Sequence, residues 1–432
     1  MPRQVYRAAV FHLLDDPATG RPPLETYFAD GALVVADGHV VEAGAWPAIA
    51  AKLGAEDSVT HFPGALIVPG FVDAHVHYPQ LDIIASPATH LLDWLGEHTF
   101  PSEIRFADRA VADETAGFFL DQLLRHGTTA ALVYATVHKA SVEALFEAAR
   151  ARNMRLASGK VLMDRHAPDG LRDTAGTGHS DSQDLIRAWH GKGRLSYAVT
   201  PRFAVTSSEA QLTSAGRLVA ENPGVLMHTH LAENHEEIAE VRRLFPDCAD
   251  YLGVYDKFGL VTDRSVFAHG LHLSDAEWQR MGQAKSAIAF CPTSNLFLGS
   301  GLFDTAKARQ HAVCVGLGTD VGGGTSLSLL QTMNEAFKVG QMRRQMLDPF
   351  RLFYFATLGG ARALKMEPHI GNFAPGKEAD FVVLDPGATP LLKRRIAFAR
   401  GPAERLFALA MLGDDRAVAK TYVAGRLAHS RD

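Results

Sequence analysis

The chain has 432 residues, 47% of them hydrophobic, with 43 Lys plus Arg set against 48 Asp plus Glu. That balance, without any run of five or more like charges, excludes a disordered or fibrous chain, a basic nucleic-acid arm and a membrane-binding tail, and it fits a small neutral substrate. Three widely spaced cysteines, Cys248, Cys291 and Cys314, offer neither a disulfide framework nor a cysteine zinc knuckle, which points to a reducing cytoplasm.

In chain order, the opening "MPRQVYRAAVFHLLDDPATG" lacks a long apolar h-region with a cleavage site, so export is not expected. No stretch reaches the ~18 apolar residues of a membrane span. The next segment, "YFADGALVVADGHVVEAG", alternates in short strands broken by Gly and Asp. From residue 64, β-rich apolar runs alternate with segments of helical periodicity, the pattern of parallel strands joined by crossover helices. The strands are "ALIVPGFVDAHVH", "GTTAALVYAT", "RLASGKVLM", "RLSYAVTPRF", "GVLMHTHLAE", "SVFAHGLHL", "SAIAFCPTSN" and "VCVGLGTD", with helices such as "VEALFEAARAR" and "AEWQRMGQAK" between them. Eight is the strand count of a closed (β/α)8 barrel, whose size of roughly 250 residues is compatible with the span 64–368. The alternative, an open doubly wound sheet, lacks the G-x-G-x-x-G fingerprint after its first strand. Beyond residue 368, "GKEADFVVLDP" and "RAVAKTYVAGRL" return to short strands. The chain thus reads as α/β, a TIM-like barrel over 64–368 with a small β-sandwich built from both ends, 1–63 and 369–432. It has no internal repeat and no low-complexity segment.

Side chains at the C-terminal ends of barrel strands face a common site. His75 and His77 end the first strand and, at period two, share a face; His230 ends the fifth strand, His269 the sixth and Asp320 the eighth. Burying several imidazoles beside a carboxylate without a cation leaves costly unpaired groups, whereas a divalent metal satisfies them together. Lone histidines such as His12, His61 and His311 read instead as surface or structural residues. Imidazoles with one carboxylate suit zinc or iron, and catalytic zinc keeps a position open for water, so zinc is the first choice and Fe2+ the alternative. His228 lies on the same face as His230, so spacing alone leaves that ligand open. Glu233, three residues after His230, favours His230, because a carboxylate there reaches a metal-bound water and can carry its proton; the plain alternative is a solvated loop acid. The fourth strand ends "VTPRF" without a lysine, and Lys160 reads as a structural or salt-bridged residue, so one metal is favoured over two.

The motifs "DAHVH", "HTHLAE", "AHG" and "GTD" resemble, in order and spacing, the amidohydrolase superfamily. With "LLDWLGEHTFPSEIRF" (91–106), "TPRF" (200–203), "CPTSNLFLGSG" (291–301), "GTDVGGGTSLS" (318–328) and "TLGGARAL" (357–364), the chain is similar to its guanine deaminase family over nearly the whole length. This resemblance implies one zinc held by His75, His77, His230 and Asp320, with His269 hydrogen-bonded to the metal-bound water and Glu233 as proton shuttle. It implies hydrolysis of guanine at C2, with Glu233 protonating a ring nitrogen, to yield xanthine and ammonia. Zinc would lower the pKa of water from 15.7 toward ~7. A homodimer is implied as well.

The same resemblance sets Gln80 and Arg202 on the polar edge of the base, Phe203 beside it, and His230 and Glu233 within reach of it. Gln offers a donor and acceptors, and Arg donates to a carbonyl such as O6, where adenine's amino group would leave the guanidinium unmatched. Phe203 either stacks on the purine or fills the core, and Trp94 reads as packing at helical spacing from its apolar neighbours. The glycines of "DVGGGTS" permit tight turns beside Asp320; no Lys follows in P-loop position. The chain departs from the family at Tyr78–Pro79, where small residues are frequent, and keeps Gln80. The zinc deaminase pattern P-C-x-x-C with H-x-E belongs to another fold, and Cys291–Pro292 is not that motif. The competing readings are a related enzyme that deaminates or dechlorinates a pterin, a triazine or an adenosine derivative, and a metal-free scaffold barrel. The scaffold is disfavoured because His75, His77, His230, His269, Asp320 and Glu233 are all retained.

Overall fold

The structure is a computed structural model that describes residues 3–17, 26–87 and 91–431. Strands β1 (Gln4–Phe11), β2 (Tyr27–Ala36), β3 (His39–Ala45) and β4 (Ser58–Pro69) come first. The barrel strands follow as β5 (Phe71–His77), β6 (Thr128–Tyr134), β7 (Arg155–Gly159) with its short extension β8 (Val161–Leu162), β9 (Leu195–Pro201), β10 (Leu226–Leu231), β11 (Ser265–His269), β12 (Ala287–Phe290) and β13 (Cys314–Leu317). The last strands are β14 (Phe381–Leu384), β15 (Val418–Val423) and β16 (Arg426–Ser430).

The barrel strands are parallel in the order β5-β6-β7-β9-β10-β11-β12-β13, each neighbour the next in sequence save that β8 pairs separately with β9. The ring is completed beyond β13 by main-chain hydrogen bonds from Asp320 N to His75 O (2.8 Å) and from His77 N to Val321 O (2.8 Å). The loop carrying Asp320 is therefore stitched directly to the strand carrying the paired histidines. Helices form the outer layer. In Arg109–Arg125, capped by the Asp108 carboxylate on Ala110 N, the buried residues Ala112, Ala116, Phe119, Leu120 and Leu123 recur at helical spacing and turn one stripe toward the core.

The strands from the two chain ends join in one hydrogen-bonded order, β16-β15-β14-β4-β1-β2-β3. A bridge between His39 and Glu378 and a bond from Val40 N to Lys377 O (2.7 Å) return β3 to the approach of β14, so this sheet curls on itself. Its enclosed face packs Tyr6, Val10, Leu33, Ile67 and Phe381, with Phe381 and Tyr422 stacked at 4.3 Å. The alternate residues Ala9, Phe11, Leu66 and Val68 belong instead to the main core shared with the barrel. At the seam, Arg155 and Arg194 of the barrel pair with Glu378, and Arg194 also with Asp380 (2.5 Å).

Two runs differ from the sequence reading. "ALIVPGFVDAHVH" is not one strand: β4 ends at Pro69 within the terminal sheet, and β5 starts at Phe71 in the barrel. Gly70 sits at the switch, where a Cβ would lie 2.1 Å from Thr129 Oγ1 and only glycine fits, and its N–H is spent on Asp380 O (2.9 Å). In "SAIAFCPTSN" the strand stops at Phe290, and Pro292–Phe297 is a helix with Pro at its first position, where the missing N–H costs nothing. Among the described residues, no helix is long and apolar enough to cross a membrane.

Candidate active site

His75, His77, His230, His269 and Asp320 meet at the C-terminal mouth of the barrel. His75 Nε2 and His77 Nε2 are 3.1 Å apart and lie 3.1 and 3.3 Å from Asp320 Oδ1. A tetrahedral ion with bonds of ~2.0–2.1 Å separates its ligand atoms by about 3.3 Å, so this triangle of donors has the span of one ion's coordination shell. A second grouping, His75, His230, His269 and Asp320, brings one donor atom from each within 4.8 Å of all the others. His269 belongs to that grouping and His77 does not, the reverse of the ligand set implied by the resemblance. The ring of His77 stacks on Tyr134 at 4.5 Å and its Nδ1 has no partner among the described residues, while His269 Nε2 stands 3.7 Å from Asp320 Oδ2 and 3.4 Å from Glu233 Oε2.

The donor chemistry fits a cation. Burial lowers the pKa of His75, His228 and His230 and brings His77 down to about 3. Burial alone would raise the Asp320 carboxyl, but the adjacent His75 and His77 rings hold it well below the usual carboxylate range. The second ring nitrogens are engaged, which aims the first: His230 Nδ1 donates to Arg202 O (2.7 Å), His269 Nδ1 donates to Asn295 Oδ1 (2.8 Å), and His75 Nδ1 meets His228 Nε2 at 2.7 Å. His228 therefore stands behind His75, whereas His230 lines the cavity. Lys160 pairs with Asp173, away from the cluster.

The backbone around this centre is held under local strain. Ala232, His269 and Asp320 have φ of 49°, 72° and 50°, in the left-handed region that costs non-glycine residues roughly 1–3 kcal/mol each. The β5 end is clamped by Asp73, whose carboxylate accepts from His75 N (3.2 Å), Thr319 N (3.0 Å) and Thr319 Oγ1 (2.5 Å). Asp73 has no assigned role in the sequence reading, although it precedes His75 by two and so shares the face of both histidines.

Glu233 follows β10 and is 3% exposed. Its Oε1 accepts from Ser300 Oγ (3.1 Å), and burial, then the nearby Asp320 charge, pushes its pKa up to about 8. Its main chain is anchored separately: Glu233 N donates to Glu237 Oε2 (2.8 Å), and Asn234 caps the helix His235–Leu244. A carboxyl so placed can both accept and return a proton near neutral pH.

A cavity opens over the cluster, walled by Gln80, Trp94, Leu95, Arg202, Phe203 and Glu233 among others. Trp94 is thus a wall of the cavity as well as a packed residue, and its buried Nε1 has no partner among the described residues. Phe203 shares the wall at 5% exposure. Gln80 and Arg202 are joined by Glu103, an acid absent from the sequence reading although it lies in "FPSEIRF". Glu103 accepts from Arg202 Nη1 (2.9 and 2.8 Å) and from Gln80 Nε2 (3.0 Å), and it is completely buried. Tyr78–Pro79, the departure from the family pattern, opens the 3-10 helix Tyr78–Ile83 that carries Gln80; Tyr78 OH donates to Ser141 O (2.6 Å).

The chain matches the Amidohydrolase family over residues 66–428. It is 51% identical over 406 residues to the guanine deaminase of Escherichia coli (strain K12), covering 94% of this chain and 92% of that protein. The solved structure of E. coli guanine deaminase aligns with it at a TM-score of 0.95 and 48% identity over 100% of both chains. The crystal structure of guanine deaminase from C. acetobutylicum, with bound guanine in its active site, aligns at a TM-score of 0.89 and 28% identity over 98% of this chain and 99% of that one.

Proposed function

Because the chain belongs to the amidohydrolase family, we propose that it is a hydrolase that converts guanine and water to xanthine and ammonia. The observation that carries this reading is one cavity where a cluster of histidines and a carboxylate, a buried acid and a Gln–Arg pair face the same space. Zinc is the proposed resident metal, with His75, His77, His230 and Asp320 as the residues that would hold it; the spacing of His75 Nε2, His77 Nε2 and Asp320 Oδ1 supports His77 as ligand over His269. When bound, zinc supplies the Lewis acidity that makes hydroxide available near neutral pH.

The remaining steps belong to side chains of the protein. Arg202 donates to the O6 carbonyl of guanine, Gln80 hydrogen-bonds the polar edge, and Phe203 packs on the ring. Glu233 takes a proton from the attacking water at its Oε2 and delivers it to the ring nitrogen beside C2, as oxygen bonds to that carbon. His269 Nε2, 3.4 Å from Glu233 Oε2, hydrogen-bonds the water. Collapse of the tetrahedral carbon breaks the C2–N bond, and a second proton passed through Glu233 or Asp320 lets the amino group leave as ammonia. A homodimer in the cytoplasm completes the reading, supported by the family resemblance and by three free cysteines.

The deciding test is a parallel rate assay on guanine, a pterin, a triazine and an adenosine derivative, with the metal content of the same protein measured. Guanine should be the fastest substrate, with one zinc per chain. A faster rate on any of the others would replace this assignment with the related-heterocycle one.

A further inference from the structure

Glu103 belongs to neither the metal cluster nor the lining of the cavity, yet it holds two lining residues, Gln80 and Arg202, that are to read the base. The segment that bears it is unusual: a π-helical turn, Leu95–Thr99, separates the helical turns Leu91–Trp94 and Phe100–Ile104. That insertion rephases the helix, so that Trp94 and Leu95 face the cavity while Phe100 and Glu103 reach Arg202 from behind. Phe100 presents its ring to the Arg202 guanidinium at 5.6 Å, and Glu103 accepts both hydrogen bonds from Arg202 Nη1.

The consequence for Gln80 follows from donor and acceptor logic. Its Nε2 donates to the Glu103 carboxylate (3.0 Å) and its Oε1 accepts from the main-chain N–H of Gly322 (3.2 Å). A carboxylate only accepts and a peptide N–H only donates, so turning the amide over would set oxygen against oxygen and N–H against N–H. One orientation survives, and with it one pattern of donor and acceptor toward the cavity.

We infer that Glu103 is a positioning residue that sets the purine specificity of this site, by fixing the orientation of the Gln80 amide and the Arg202 guanidinium that read the 6-position edge of the base. This rests on the guanine reading above. Losing one charged hydrogen bond in such a network is worth about 10- to 100-fold in a rate ratio.

The test compares kcat/KM for guanine and for 2-aminopurine, which carries the same reacting amino group but has no 6-oxygen. Glu103→Asp keeps the buried charge that balances Arg202 and withdraws the carboxylate by one methylene; Glu103→Gln removes the charge. Both are measured as metal-loaded protein, with metal content and circular dichroism checked. For each variant that folds, the guanine to 2-aminopurine ratio should fall at least about tenfold below the parent, through guanine rather than 2-aminopurine, with metal content unchanged. Equal losses on both substrates would overturn the inference and leave Glu103 a structural residue. A parent enzyme that ignores guanine would overturn the functional reading and this inference with it, whereas a guanine-preferring parent beside variants of unchanged ratio overturns the inference alone.

Discussion

Glu233→Gln separates proton transfer from every other duty of this position. The side chain is held by Ser300 Oγ on Oε1 (3.1 Å), a bond that an amide oxygen accepts equally well. The backbone is held independently, by Glu237 on Glu233 N (2.8 Å) and by the Asn234 cap. Gln has the same length and shape, and as a neutral group it costs less to bury than the carboxylate it replaces. The substitution therefore leaves the cavity, the metal cluster and the fold in place and removes only the ability to take and return a proton. General acid–base catalysis contributes about 10²- to 10⁴-fold, or about 3–5 kcal/mol of barrier. Turnover, followed by loss of guanine absorbance and by ammonia release, should fall at least about 100-fold while bound metal stays at the parental level. Activity within about threefold of the parent at equal metal content would refute the proton-transfer role.

Three further outcomes can be checked. His228→Ala removes the partner 2.7 Å from His75 Nδ1, and metal affinity measured by competition with a chelator should weaken about 10- to 100-fold. His12, 6% exposed, is lowered to about 4 by burial and by the nearby Lys377, so it is neutral in the fold but protonates near 6.5 when unfolded. The unfolded chain then binds the extra proton, and stability is lost as pH falls from about 6.5 to about 4, by up to about 3 kcal/mol; His12→Phe should flatten that part of a denaturation–pH curve. Glu378→Gln leaves Arg155 without its carboxylate at the seam between barrel and terminal sheet, where the Arg155 and Glu378 side chains are 10% and 14% exposed. A loss of about 3 kcal/mol in denaturant-induced unfolding is expected, with the activity of the folded protein preserved.

Much of the site was legible before any fold was known, because strand periodicity is a local property. Two histidines one residue apart share a face in any strand, and a polar residue at the end of an apolar run is exposed to whatever the strand end faces. Those two rules pick out His75, His77, His230, His269, Asp320 and Glu233. The same periodicity marks Asp73, two residues before His75 on the same face. Other partners carry no such mark. Asn295 and Ser300 sit in a helix and a loop after β12, and nothing in their own neighbourhood announces that one orients His269 and the other holds Glu233. Glu103 is one acid in a helical segment, and the π-turn that swings it beneath Arg202 has no signature in apolar spacing.

Sequence alone thus determined the alternation of strands and helices, the count of barrel strands and the set of chemical groups at their ends, all consequences of patterns confined to ten residues or so. Tertiary structure decided what depends on distant neighbours. It split the first apolar run at Gly70 between two sheets, β4 pairing with β1 and β14 and β5 with β6. It turned His230 to the cavity and set His228 behind His75, although both occupy the same face of β10. It joined Gln80, Glu103 and Arg202 across 23 and 99 residues of chain. A hydrogen bond between side chains far apart in sequence exists only once the backbone has closed, and no local periodicity encodes it.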